Sequence, residues 1–185
     1  MGGREKVPAK GVGAMLVQEH VYQAVAAGSR SFEPGHTWDG VPVSCAAGSA
    51  VIAHLRKEGL VDSVRERGPK FLEALRSALD GFDLVREVRG RGFLLGVSYV
   101  DPSDGSSLLD PSLRVARRID EAALENSMLI YSTQPTGDGM AGDQTLLAPA
   151  FTSTDSDLDQ IVERLAKSIA QVEREVKDDL ARAKN

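Results

Sequence analysis

The chain has 185 residues and a formal net charge of −5, from 22 Lys and Arg against 27 Asp and Glu. Hydrophobic residues make up 42% and charged residues 26%, an ordinary globular composition that argues against wholesale disorder. The acidic balance excludes nucleic acid and anionic membranes as expected partners, and one cysteine with three scattered histidines excludes a disulfide framework and a metal centre.

The length suits one compact domain, or one and a half. No apolar run approaches the about 18 residues of a membrane span. The first ten residues have no hydrophobic core of the kind that a signal peptide needs. The sequence therefore predicts a cytoplasmic protein with no membrane association.

Residues 1–59 hold too few elements to build a sheet of their own. The predicted elements are a buried strand at 13–17, a helix at 18–27, turns at 29–40 and a long helix at 42–59. The long helix has Pro42 in its first turn and Gly59 at its end. Its small residues, 45–50, predict a buried or interface helix, because small side chains let another backbone come close.

Residues 60–185 alternate in the order α, β, β, α, β, β, α. This order predicts an α+β domain with an antiparallel or mixed sheet and helices on one face. Gly68-Pro69 should kink or restart the first helix, and Arg89–Gly92 should form a hairpin turn. The predicted elements lie at 60–79, 82–88, 93–100, 112–126, 128–131 and 145–148, with a long loop at 132–143 and a last helix that starts from a capping box at Thr154–Asp157.

The segment from Ser31 to Gly40 (SFEPGHTWDG) has the most informative polar pattern. Its hydroxyl groups and glycine-flanked amides, at the entrance of a helix, could hold an anion such as phosphate. A simple turn with His36 and Thr37 as caps explains the same residues, and the residues alone favour the turn. Lys10 could form a Schiff base if it is buried, or it could be a solvated surface lysine.

Four segments together resemble the class III (omega-type) aminotransferases, which are pyridoxal-phosphate enzymes of fold type I, the aspartate-aminotransferase fold. In chain order these segments are GAMLV, FEPGHTWDGVPVSCAAGSAV, VREVRGRGFLLGVSYV and GDQTLLAPAFTSTDSDLDQIVERL. The resemblance covers nearly the whole chain and corresponds to the carboxyl-terminal half of such an enzyme. It implies an α/β remnant of the large cofactor-binding domain at 1–59, followed by the small carboxyl-terminal α+β domain at 60–185.

The resemblance also implies roles for individual residues. In the family, the threonine of the Gly-His-Thr motif, here Thr37, contacts the cofactor phosphate in the neighbouring subunit's active site, with His36 beside it. The other cofactor contacts of the family precede the position of Met1. The Schiff-base lysine also falls before Met1 when the amino-terminal glycines are aligned with the family pattern, whereas a shorter alignment places it at Lys10.

The implied function is part of a pyridoxal 5'-phosphate-dependent aminotransferase that moves an amino group between an amine or amino acid and a keto acid. The chain would be a truncated form or a split subunit, working with an amino-terminal half-enzyme or as a homo- or hetero-oligomer. The alternative is a non-catalytic interaction or dimerisation module that keeps the helix at 41–59. The amino donor and acceptor are not predicted, because the residues that select them lie mostly upstream.

Overall fold

The computed structural model describes residues 13, 16–31, 35, 37, 39–133 and 142–183. By its internal contacts the chain divides into two compact units, residues 1–58 and 59–185. Both predicted helices of the first unit are present, as α1 (Glu19–Ala27) and α2 (Pro42–Lys57). The helix α1 ends at Gly28, and Pro42 occupies the first turn of α2, as predicted.

The predicted strand at 13–17 is wrong for the part of it that is described. Gly13, Leu16 and Val17 are not in a strand, and the Leu16 side chain is 93% exposed. Residues 14–15 lie outside the described residues. A strand needs a neighbouring strand to pair its backbone groups, and the described residues of the first unit contain none.

The second unit is an antiparallel sheet packed against helices. Its strands are β1 (Val85–Arg91), β2 (Leu94–Tyr99), β3 (Tyr131–Thr133) and β4 (Gln144–Leu147), in the spatial order β1-β2-β4-β3. Its helices are α3 (Leu60–Leu79), a short 3₁₀ helix (Pro111–Leu113), α4 (Val115–Glu125) and α5 (Asp155–Ala183). The element order and the antiparallel pairing confirm the α+β prediction for this part of the chain.

The hydrophobic core lies between one face of this sheet and the helices. On β2, Leu95, Val97 and Tyr99 are buried while the residues between them are more exposed, which is the period of two that a half-buried strand requires. The α5 helix contributes a stripe at helical spacing, including Leu165 and Ile169, neither of which is measurably exposed. Among the described residues, every buried hydrophobic side chain lies in this second unit.

The α3 helix does not restart at Gly68-Pro69 but is continuous through these residues. The predicted turn at Arg89–Gly92 is wrong in position, since β1 runs on to Arg91 and the turn is only Gly92-Phe93. The reason is close packing: a Cβ on Gly68 would lie 2.6 Å from the Cα of Gly92, so the helix and the turn meet backbone to backbone. Gly90 continues the strand at φ +140°, a conformation that favours glycine.

Further boundaries shift by a few residues. The predicted helix at 112–126 starts as the 3₁₀ helix, and α4 begins only at Val115, after Arg114 in the left-handed conformation. The predicted strand at 128–131 is wrong in position, since β3 begins at Tyr131. Part of the predicted loop at 132–143 is therefore strand, and 134–141 lie outside the described residues.

The capping box at the start of α5 is confirmed. The Thr154 backbone N–H donates to Oδ2 of Asp157 at 2.7 Å, and the Asp157 N–H donates to the Thr154 hydroxyl at 3.2 Å. The hydrogen bonds from Thr154 lower the pKa of the Asp157 carboxyl. The box therefore starts the longest helix of the chain at the predicted residue.

Candidate functional site

Thr37 lies in an exposed turn that precedes α2. The N-cap of α2 is Val41, which makes no side-chain capping hydrogen bond, so Thr37 does not cap this helix. Within the described part of the chain, the Thr37 hydroxyl has no hydrogen-bond partner. Gly35 and Gly40 on either side are also exposed, and a Cβ built at either would meet no atom within 4 Å. The turn therefore presents an accessible hydroxyl between two glycines whose surroundings are open.

The described residues of this segment include hydrogen-bond donors of the kind that a phosphate group requires. The first amides of a helix have no carbonyl partner within the helix, and the helix dipole favours an anion at that end. In α2 these amides are not capped by a side chain, and Thr37 lies four residues before the N-cap. A hydroxyl, open glycine backbone and an uncapped helix end are donors that suit phosphate oxygens. The residues present thus fit the phosphate of the cofactor that the resemblance implies.

Two predicted site residues, His36 and Lys10, lie outside the described residues. Their predicted roles, beside the phosphate and as a Schiff-base candidate, stay predictions. For metals, the described residues contain no group of three or more His, Cys, Asp or Glu side chains that could hold an ion. None of the helices in the described ranges is both long and apolar enough to cross a membrane.

A hydroxyl network in the second unit, which joins Tyr99, Thr145 and Ser132, was not predicted. The Tyr99 hydroxyl lies 2.9 Å from the Thr145 hydroxyl, which lies 2.8 Å from that of Ser132. Burial raises the pKa of Tyr99, which keeps the phenol neutral. The alternation of β2 could have placed Tyr99 in the core, but no pattern in the sequence pairs it with Thr145, because the contact spans 46 residues.

Asp143 lies beside this hydroxyl network, and only 2% of its surface is exposed. Its Oδ1 accepts a hydrogen bond at 2.7 Å from the N–H of Ala116, in the first turn of α4, and its carbonyl accepts one from the Tyr99 N–H. Burial raises the pKa of Asp143, and the Ala116 hydrogen bond partly opposes that shift. Since Arg114 offers no side-chain cap to α4, Asp143 caps this helix from a distant part of the chain.

Comparison with known proteins identifies the family. The sequence model of the class III aminotransferases matches residues 8–169, most of the chain. The chain belongs to the class III aminotransferases. The match includes the turn at Thr37, α2 and the whole sheet of the second unit, so the predicted resemblance is confirmed.

Relatives agree with this assignment. An aminotransferase of Gibberella zeae is 31% identical over 84% of the chain, which is 31% of that protein. The diaminobutyrate–2-oxoglutarate transaminase of Halomonas elongata is 33% identical over 85% of the chain, which is 33% of that protein. The chain thus spans about a third of the length of the curated relatives that it matches.

Solved structures give the same fold. A transaminase obtained by ancestral reconstruction is 29% identical and superposes with a TM-score of 0.75 over 86% of the chain and 34% of its own. An amine transaminase from an uncultivated Pseudomonas species, 25% identical with a TM-score of 0.71, was solved in a PLP-bound form. An aminotransferase of Vibrio fluvialis, 26% identical with a TM-score of 0.68, was solved with PMP. The cofactor indicated for the family is therefore pyridoxal 5'-phosphate.

Proposed function

We propose that the chain is part of a pyridoxal 5'-phosphate-dependent aminotransferase that transfers an amino group between an amine or amino acid and a keto acid. It acts as a truncated form or split subunit, together with an amino-terminal half-enzyme that supplies the Schiff-base lysine and most of the cofactor site. The observation that carries the proposal is the family match, which spans residues 8–169 and so includes the Thr37 turn and the first half of α5.

We assign Thr37 to the cofactor phosphate. Its exposed hydroxyl can donate to a phosphate oxygen, and His36 beside it can donate a second hydrogen bond. A hydrogen bond to a charged group contributes about 1.5–3 kcal/mol, which corresponds to roughly 10- to 100-fold in affinity. The bound cofactor supplies the electron sink for the carbanion that forms when the substrate loses a proton. The role of this chain's turn is to hold the phosphate in one orientation, so that the ring is positioned for that step.

We assign closure over the substrate to the second unit. Its sheet and helices share one core, so it can move as a single body. Closing such a body over bound substrate excludes water and completes the arrangement of reacting groups.

The function is tested by adding pyridoxal 5'-phosphate to the chain, with and without a separate polypeptide that holds the part of the Halomonas elongata transaminase preceding its matched region. We expect no Schiff-base absorbance from the chain alone, and a band that borohydride makes permanent, with transaminase activity, from the mixture. The absence of a band under both conditions would overturn the catalytic function and leave the non-catalytic dimerisation module. Mapping the reduced adduct by mass spectrometry shows which chain holds it.

The role of Lys10 is tested in the same experiment. An adduct on the chain alone that Lys10→Ala removes and Lys6→Ala retains would place the Schiff base in this chain. That result would contradict the need for a lysine from a partner.

A matched pair of variants tests Thr37. Thr37→Val keeps the shape and removes the hydroxyl, whereas Thr37→Ser keeps the hydroxyl. In the assembled enzyme, we expect Thr37→Val to weaken cofactor binding by about 10-fold or more, and Thr37→Ser to bind within about 3-fold of the parent. Equal binding by the two variants would remove Thr37 from the phosphate site.

A further inference from the structure

We propose that Arg76 closes the free edge of β1 and so prevents a second copy of this chain from adding a strand to the sheet. The outer strands of a sheet present backbone N–H and C=O groups that can pair with another chain. Among the described residues, the sheet of the second unit has β1 and β3 as its outer strands. The strand β3 has only three residues and β1 has seven, so β1 is the edge with room for an added strand.

The register of β1 determines which of its backbone groups face outward. The two-residue turn closes on the pair of Arg91 and Leu94. Hydrogen-bonded and non-hydrogen-bonded pairs alternate along an antiparallel ladder, so Arg91 and Arg89 bond to β2. Val88 and Gly90 alternate with them, and their N–H and C=O groups therefore point away from β2. An added strand would have to pair with these outward groups.

Both ends of β1 are irregular, which leaves a short stretch for pairing. The register shifts between Val85 and Glu87, as in a β-bulge. Gly90 has a φ of +140°, outside the range of a regular extended strand. Irregularities of this kind disrupt pairing between sheet edges. In the regular stretch between Glu87 and Gly90, the outward carbonyl group is that of Val88.

The Arg76 side chain occupies this carbonyl group. Its Nε and Nη2 atoms both donate to the Val88 oxygen, at 3.2 Å and 3.1 Å, from the last turns of α3. Hydrogen bonds from a charged donor are stronger than those between neutral groups. An incoming strand would have to displace the guanidinium from Val88 and leave it without this acceptor. Arg76 therefore blocks the regular part of the β1 edge.

A second copy of this chain is the partner that this block excludes. It carries the same edge, and two β1 strands can pair antiparallel about a two-fold axis, so that each offers its outward groups to the other. This self-association is a property of the edge itself. It requires no cofactor, no substrate and no catalytic activity, and it goes beyond the proposed function.

Two arginines of α3 give a matched pair of variants. Arg76→Leu removes the donors to Val88 and keeps an apolar stem. Arg65→Leu makes the same change in charge and hydrophobicity, but the Arg65 guanidinium contacts Asp62 of its own helix and no strand. The experiment measures the mass of the full 185-residue chain by light scattering over a wide range of concentration. It also measures amide exchange at Val88 and Gly90 at the two ends of that range.

We expect Arg76→Leu to form a dimer at concentrations at least about 10-fold lower than the parent chain or Arg65→Leu, since a hydrogen bond from a charged donor is worth about that factor. The amides of Val88 and Gly90 should become protected as this dimer forms. Circular dichroism shows whether each variant is folded. If Arg76→Leu does not fold, Arg76→Gln carries the same comparison, because it also removes the charge and the forked donor.

The other outcomes overturn the proposal. If the folded Arg76 variant stays monomeric wherever the parent chain does, Arg76 does not close the edge. If Arg65→Leu associates as readily as Arg76→Leu, the effect comes from charge or hydrophobicity and not from the Val88 carbonyl. If a dimer of Arg76→Leu leaves the amides of Val88 and Gly90 unprotected, the chains associate through another surface.

Discussion

The two units of the chain form helices equally well but differ in what those helices pack against. In the second unit, α3, α4 and α5 each bury an apolar stripe against the sheet or against one another. In the first unit, α1 and α2 bury no residue. Helix formation is local, because the backbone groups are satisfied within the segment. A core, in contrast, requires residues that are distant in sequence, and among the described residues only those of the second unit form one.

The segment at 13–17 makes the same point for strands. The strands β1 and β2 pair because a two-residue turn brings them together, with Arg91 opposite Leu94. Leu16 and Val17 are of residue types that also occur in β1 and β2, but the described part of the first unit contains no strand for them to pair with. The comparison teaches that strand-forming residue types do not form a strand without a neighbouring strand to pair with.

The largest expected effect on the free energy of unfolding comes from a buried isoleucine, for which an exposed isoleucine serves as the control. Ile169 in α5 has no measurable exposure, whereas Ile52 in α2 is 52% exposed. We expect Ile169→Ala to lower the free energy of unfolding by about 2–5 kcal/mol, because it removes transfer energy and leaves a cavity. Ile52→Ala should change it by less than about 0.5 kcal/mol. Chemical denaturation followed by circular dichroism measures both, and a comparable loss in the two variants would contradict the contrast between the units.

Much of the second unit could be predicted from the sequence because its signals are local. The order of helices and strands followed from residue types along the sequence, and the Thr154–Asp157 box gave the start of α5. The extension of β1 to Arg91 could not be predicted, since it depends on the contact between Gly68 and Gly92 across the unit. Glycines in a turn motif and glycines required by tertiary packing look the same in a sequence.

The candidate site was predicted in a different way. Spacing alone favoured a simple turn at 31–40, and only the family resemblance singled out Thr37. The structure adds that Thr37 does not cap α2. The cap that Asp143 provides to Ala116 was missed, because no local pattern links residues 27 positions apart.

A second contrast concerns two glycines with positive φ. A Cβ on Gly90 would lie 2.2 Å from the Leu94 carbonyl oxygen, whereas one on Gly40 would meet nothing within 4 Å. We expect Gly90→Ala to lower the free energy of unfolding of the second unit by about 2–4 kcal/mol, from backbone strain and overpacking. Gly40→Ala should leave that transition unchanged. If Gly40→Ala destabilised the second unit as well, the two units would be coupled in folding.

The Asp143 cap gives an intermediate effect. Asp143→Ala leaves the N–H of Ala116 without its acceptor, and we expect a loss of about 1–3 kcal/mol in the free energy of unfolding. Asp143→Asn keeps an oxygen acceptor, so it should lower the free energy of unfolding much less than Asp143→Ala does. Amide exchange at Ala116 provides the local readout, and we expect it to rise in Asp143→Ala only. Similar losses in both variants would assign the effect to the charge rather than to the hydrogen bond.

Asp143 also sets the sign of a pH effect. Its pKa is raised in the folded state, so between its ordinary value and the raised value the folded chain holds a proton that the unfolded chain has released. The contribution of Asp143 to stability therefore falls as the pH rises through that window. Denaturation of the parent chain and of the Asp143→Asn variant at a series of pH values isolates this contribution. We expect the free energy of unfolding of the parent to fall relative to that of the variant as the pH rises. The opposite slope would mean that the carboxylate is stabilised by its partners.

The smallest expected effect is the coupling energy of an ion pair, for which we compare one pair from each unit. Arg118 of α4 and Asp179 of α5 lie 2.6 Å apart with about a third of each side chain exposed, whereas Lys57 and Glu58 of the first unit lie 3.6 Å apart and are more exposed. A double-mutant cycle on Arg118 and Asp179 should give a coupling energy below about 1 kcal/mol, because solvent screens the pair. The coupling should shrink further when salt is raised from 0.1 M to about 1 M.

A cycle on Lys57 and Glu58 should give no coupling in the unfolding of the second unit, because the pair joins neighbouring residues and not two packed elements. A measurable coupling there would show that the end of α2 folds together with the core of the second unit.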